Sequence, residues 1–343
     1  MKVSRIIGLL VTGAVALVAF DFAHYNDVME VKIPSNFPKP VYNLEQNPVT
    51  VKGFELGRKL FYDGNLSSNG IVSCGFCHQQ PSAFTQHGHD ISHGVNDRLG
   101  KRNSLPISNL IFMKTFFWDG GVNHLDFIPL NAIENPNEMD ETVENILVKL
   151  NRSEMYRAEF REAFGSETIK SAEFLKALSQ FMAAMISANS RYDKYIRNEG
   201  EMLSAQELRG LDLFKQKCSS CHATDLFTDG LYHNNGVTND FRYDKGREEI
   251  TLDSADRGKF KVPSLRNVEM TDPYMHDGRF LSLEAVLNHY AEGVTISKTL
   301  DPILSTHTKP GIPLTEEERK DIITFLKTLT DNEFLRDRRF SEF

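Results

Sequence analysis

Apolar residues along this chain recur at helical spacing. Phe54, Leu56, Leu60 and Phe61 mark one amphipathic stretch, and Leu208, Leu211, Leu213 and Phe214 mark a second. This is the rhythm of helices that bury one face. A third stretch runs through Val143, Ile146, Leu147 and Leu150, with Asp140 as its predicted cap. A longer helix is predicted over residues 172–196, burying Phe174, Leu178, Phe181, Met185 and Ile186, and Ile322, Ile323, Leu326 and Leu329 form another apolar face. Ser204 with Glu207, and Thr315 with Glu318, carry the reciprocal capping signature of a helix start. No segment sustains a period of two, so strands should be few and short. Loops rich in Gly, Asn and Asp occupy residues 79–108 and 233–258, and residues 198–202 interrupt the helices at the expected domain boundary.

The N-terminus follows a different pattern. Lys2 and Arg5 precede an apolar run over residues 6–20, closed by Asp21. The run is shorter than the roughly 20 residues of a membrane helix and has the layout of an export signal. Residues 1–23 are therefore expected to send the chain to the periplasm. The signal is either cleaved or kept as an inner-membrane anchor, since Ala16, Ala19 and Ala23 offer no single clean site. A net charge of −8 over 343 residues gives no electrostatic reason to bind nucleic acid. The length suits about two domains.

All four cysteines lie in two Cys-x-x-Cys-His sites, Cys74, Cys77, His78 and Cys218, Cys221, His222. Cysteines at this spacing sit about one helical turn apart. Both thiols can reach the two vinyl groups on one haem edge, and the adjacent histidine can swing beneath the ring to meet iron. A zinc site would need a fourth ligand, and a thioredoxin-like pair would want a βαβ context that is missing. Two such sites, each after an amphipathic helix in an exported chain, point to two covalently bound haems c. Each site is followed by a Phe-Thr pair, Phe84-Thr85 and Phe227-Thr228. The same order of parts occurs twice, which implies tandem domains. The expected fold is mainly α: two cytochrome c-like haem domains, residues 24–200 and 201–343, with long loops.

With these motifs in place, the chain resembles the bacterial di-haem cytochrome c peroxidases and their relatives typified by MauG. The resemblance runs from about Gly53 to Leu329. Its motifs are Gly57-Arg58-Lys59-Leu60-Phe61, Ala83-Phe84-Thr85, Gly100-Lys101-Arg102-Asn103, Phe117-Trp118-Asp119-Gly120 and Asn135-Pro136-Asn137-Glu138-Met139. The second half adds Val262-Pro263-Ser264-Leu265-Arg266-Asn267 and Pro273-Tyr274-Met275-His276-Asp277-Gly278.

The resemblance implies a peroxide-reacting N-terminal haem and an electron-relaying C-terminal one. It assigns Trp118 to the position between the haems and Glu138 to the acid of the peroxide pocket, where a proton must move between the peroxide oxygens. Ile128 and Ala132 depart from the Gln and Pro usual there. His93 occupies the place of a detachable ligand to the first iron, with His87 and His89 as competitors. Tyr290 falls at the ligand position of the second iron, with Met275 and His289 as alternatives. A thioether there raises the potential, whereas a phenolate favours higher oxidation states. Asn103 matches a residue helping to hold a calcium ion between the domains.

The expected reaction is reduction of hydrogen peroxide with electrons from a small redox protein, a cytochrome c or a copper protein. A MauG-like oxidase acting on a protein partner and a non-catalytic di-haem carrier are the rival readings. A homodimer is one arrangement to test. A pyridine haemochrome assay should find two covalently bound haems per chain, and one or none would refute the motif reading.

Overall fold

A computed structural model describes residues 27–342. The predicted export signal lies outside these residues. No helix among them is long and apolar enough to cross a membrane.

The first half carries α1 (Val51–Tyr62), α2 (Cys74–Cys77), α3 (Ile128–Glu134), α4 (Val143–Arg152), α5 (Glu154–Phe164) and α6 (Ser171–Ala184). A bridging helix α7 (Arg191–Ile196) leads to α8 (Ala205–Lys217), α9 (Glu248–Thr251), α10 (Leu283–Asn288) and α11 (Glu316–Lys327). The strands β1 (Tyr232–His233) and β2 (Phe260–Lys261) form one small antiparallel pair. The protein is mainly α, as the spacing of apolar residues implies. Both reciprocal caps form: Ser204 Oγ accepts from the Glu207 amide while Glu207 accepts from the Ser204 amide, and Thr315 and Glu318 do the same.

Two expectations are corrected. The helix predicted over residues 172–196 ends at Ala184 and restarts at Arg191. Asn109 explains the break, because its side chain bonds both the carbonyl and the amide of Ser187 at 3.0 Å, in competition with the helical ladder. Ser190 and Asp193 then cap the second piece. Asp140 does not cap α4. That role falls to Thr142, whose side chain accepts from Asn145, while Asp140 takes a left-handed conformation and pairs with Arg98.

The halves are built alike around one close helix crossing. A Cβ on Gly57 of α1 would sit 2.0 Å from the Ala177 carbonyl oxygen of α6. A Cβ on Gly210 of α8 would sit 2.0 Å from the Asp321 carbonyl oxygen of α11. Only glycine lets these backbones approach so closely. Phe61, one turn after Gly57, packs 5.1 Å from Phe181, and Phe214, one turn after Gly210, packs 5.2 Å from Phe325.

The segments after the last helix of each half cross over. Tyr192, after α6, is buried in the second core beside Phe227 and Phe325. Phe334, Leu335 and Phe340, after α11, are buried in the first core. The segments meet where Ser187 Oγ donates to Asp331 and Asn267 donates to Ser187 Oγ. Beside this crossing, fully buried Arg266 grips fully buried Asp193 with two bonds of 2.8 Å. A buried pair of this kind adds little net stability, but either charge left alone is expensive. Arg266→Leu is therefore expected to lower unfolding stability by about 3–5 kcal/mol in a denaturant titration.

Candidate functional site

Ser73 caps α2 and so orients the first attachment site, its hydroxyl accepting from the Phe76 amide. The Nδ1 of His78 lies 2.6 Å from the Phe84 carbonyl oxygen. A carbonyl can only accept, so Nδ1 carries the proton and Nε2 is free to bind a metal. Burial lowers the pKa of His78, keeping the ring neutral as a ligand must be. The carbonyl is aimed by an unusual backbone, since Ala83 and Phe84 are both left-handed, at φ of 52° and 61°. The second site repeats the device. His222 Nδ1 lies 3.1 Å from the Phe227 carbonyl oxygen, and Phe227 has a φ of 54°.

The second site opens on a mainly apolar cavity shared by Cys218, Cys221, His222, Trp118, Lys261 and Tyr290. Lys261 is the unexpected member. Its ammonium is buried, with only the Gly230 carbonyl, 3.3 Å away, as a hydrogen-bond acceptor among the described residues. Burial pushes its pKa down to about 8. A cation on an apolar cavity wall suits a flat group with acidic edges, and a haem with its propionates has that chemistry.

Cys221, Asp229 and His233 also lie within 4.8 Å of one another, the only such metal-like cluster among the described residues. Cys221 belongs to the attachment pair, however, and His233 is bonded to both Asp229 and Asp301.

Glu138 is half-buried. Its Oε1 accepts from Asn135 at 2.7 Å, and its backbone carbonyl accepts from the Val95 amide at 2.8 Å. Its backbone packs against Gly94, next to His93, whose carbonyl lies 3.8 Å from Cys77 Sγ, which brings Glu138 near the first attachment site. Burial raises its pKa above the ordinary 4.5. Ile128 and Ala132 are part of the apolar packing beside the first core.

Trp118 is buried on the cavity wall, and its Nε1 donates to the Asn103 carbonyl at 2.8 Å. The Asn103 amide in turn bonds the carbonyls of Pro273 at 2.5 Å and Met275 at 3.3 Å. Trp118 and Asn103 thereby tie the first half to the second.

His93 is half-buried and directs Nδ1 to Asp97 at 2.5 Å, with its ring 4.8 Å from that of His89. Its carbonyl lies 3.8 Å from Cys77 Sγ. His87 and His89 are exposed.

Tyr290 lies in a π-helical turn, His289–Gly293, that continues α10. Such turns are rare and frequent at functional sites. Burial pushes its pKa up to about 12, opposed by a hydrogen bond from Asn235. The Asn235 amide also lies 3.2 Å from Met275 Sδ, so both candidate ligands face the same cavity. His289 turns toward the Asn235 carbonyl at 3.0 Å and does not line that cavity. Lys261, Asn235 and His233 carry no motif of their own, and only the fold assembles them.

The profile described as di-haem cytochrome c peroxidase matches residues 51–201. The methylamine utilization protein MauG of Methylorubrum extorquens is 34% identical over 310 residues, covering 90% of this chain and 86% of that protein. The chain belongs to the di-haem cytochrome c peroxidase and MauG family. The cytochrome c551 peroxidase of Nitrosomonas europaea is 32% identical over 81% of this chain and 80% of its own. A MauG-like protein associated with microbial copper homeostasis has a similar structure, with a TM-score of 0.82, 33% identity, and coverage of 91% of this chain and 99% of its own. Membership of this family implies two haems c, and the cysteines and neutral histidines described above fit that cofactor.

Tyr290 and Met275 both line the cavity at the second attachment site, and spectroscopy separates them. Tyr290→Phe is expected to change the low-spin EPR signal of one haem, and Met275→Leu to leave it unaltered. The converse result would assign the ligand to Met275.

Proposed function

We propose that this protein is an exported di-haem peroxidase, reducing hydrogen peroxide to two waters with two protons and two electrons. The observation that carries the reading is the Glu138 carboxyl, held by Asn135 on backbone that packs against Gly94, the neighbour of His93 at Cys77. When bound, the first haem supplies the iron at which the O–O bond is cleaved. Glu138 takes a proton from one peroxide oxygen and returns it to the departing one. Its raised pKa brings proton transfer closer to neutral pH. A pure electron carrier would need no such acid. Residues 24–200 are proposed as the peroxidatic domain and residues 201–343 as the electron-transfer domain, with Trp118 relaying electrons between them. The donor is a small redox protein, a cytochrome c or a copper protein. The curated relative named cytochrome c551 peroxidase supports this reading.

A calcium ion between the halves is proposed at Asn103, whose side-chain nitrogen donates to the carbonyls of Pro273 and Met275; turning that amide over would bring its oxygen beside theirs as a hard-cation site. Lys2, Arg5 and the apolar run after them support delivery to the periplasm, with the leader cleaved or kept as an anchor.

One feature favours a second reading, a MauG-like oxidation of residues on a protein partner. Tyr290 on the π-helical turn is an oxygen donor facing the second attachment site, and oxygen ligation favours high oxidation states over easy reduction. Saturable peroxide turnover with a reduced cytochrome or copper protein supports the first reading, and peroxide-dependent modification of a protein without such a donor supports the second.

Glu138→Gln should lower peroxide turnover by about 10²-fold with both haems still attached. The base form of Glu138 is lost as pH falls through its raised pKa. Activity of the native protein should therefore decline on an acid limb above pH 4.5 that the Gln variant lacks. Unchanged turnover in the variant would remove Glu138 from the chemistry.

A further inference from the structure

The segment after α11 lies against the backbone that serves His78. The Phe334 ring packs 5.6 Å from Phe84, and Phe340 packs 5.6 Å from Phe334 and 6.5 Å from Phe84. The backbone of this segment is fastened to the first half. Gln80 donates to the Phe334 carbonyl at 3.1 Å and the Asp337 carbonyl at 2.8 Å, and the Tyr62 hydroxyl donates to the Phe340 carbonyl at 2.6 Å. Phe84 needs such support, because a bulky residue at positive φ persists only where its surroundings over-determine it. The second half uses the same arrangement with the source reversed. There Tyr192, from the segment after α6, packs 5.2 Å from Phe227, whose carbonyl serves His222.

We propose that Phe334 and Phe340 are positioning residues for the first haem, holding the Phe84 carbonyl on His78 Nδ1 and so setting how strongly that histidine donates to iron. The proposal rests on the reading of His78 as a ligand of the first haem. A well-held hydrogen bond gives the imidazole more anionic character, and a more basic ligand favours the oxidised metal. Loosening the ring contacts weakens that bond and makes the first iron easier to reduce. Each half therefore supplies the support for the other half's proximal histidine.

The test uses the holoprotein, with haem content checked by pyridine haemochrome and each haem followed by redox titration. Resonance Raman of the reduced protein reports the iron–histidine stretch. Phe334→Ala should shift the first haem to a more positive potential and lower its iron–histidine frequency, leaving the second haem in place. Phe334→Leu, which refills much of the space, should restore most of both signals. Gln80→Leu removes two fastening bonds without emptying the core, and should shift the first haem in the same direction. Tyr192→Leu should move the second haem and spare the first. Two-haem variants whose potentials do not move, or whose two haems always move together, would overturn the proposal. A single haem in the unaltered protein would instead overturn the two-haem reading beneath it.

Discussion

A buried imidazole that binds metal through one nitrogen must find an acceptor for the proton on the other. Much of this protein follows from meeting that demand twice. In both halves the acceptor is the carbonyl of a phenylalanine five or six residues beyond the histidine, Phe84 for His78 and Phe227 for His222. To face back toward the ring, each phenylalanine takes a left-handed backbone, unfavourable for its side chain by roughly 1–2 kcal/mol. That cost is offset by burying an aromatic ring in a dense core. The Phe-Thr pairs of the sequence are thus the backs of the two attachment sites.

The surrounding architecture keeps those rings in place. Gly57 and Gly210 allow the paired helices to close on each other, and Phe61 and Phe214 deliver rings from the same helices toward Phe84 and Phe227. The exchanged segments cover what remains exposed. At their crossing, Asn109 and Asn267, both left-handed, hold the strands of chain that pass between the halves. The buried Arg266–Asp193 pair fixes the geometry of the crossing.

How much of this was legible in the sequence depends on the range of each interaction. The attachment sites and capping boxes are written within five residues and could be read directly. The helical character followed from apolar spacing, and so did the scarcity of strands. The break after Ala184 was hidden because Asn109, which competes for the backbone of Ser187, lies far upstream. Asp140 looked like a cap by composition, but the left-handed turn there points it at Arg98. The choice between Tyr290 and Met275 was open in the sequence for a plain reason: both residues do reach the same cavity. Lys261 shows the opposite limit. Its burial beside a site formed by residues around 220 is a product of tertiary structure alone. The duplicated Gly-x-x-x-Phe in α1 and α8 was a readable signal of the helix crossing that apolar spacing alone does not reveal.

The exchange of segments also has a meaning in time. A chain that is made and exported from its N-terminus lets earlier parts begin to fold while later parts are still arriving. Here the rings of Phe334 and Phe340 emerge after the last α-helix among the described residues, yet they finish the core behind His78. The second half gets its borrowed ring early, because Tyr192 precedes the helices it joins. The attachment site that comes first in the chain is therefore the later one to be finished. A chain halted before Phe334 would lack the aromatic backing of its first site while already holding Tyr192 for its second.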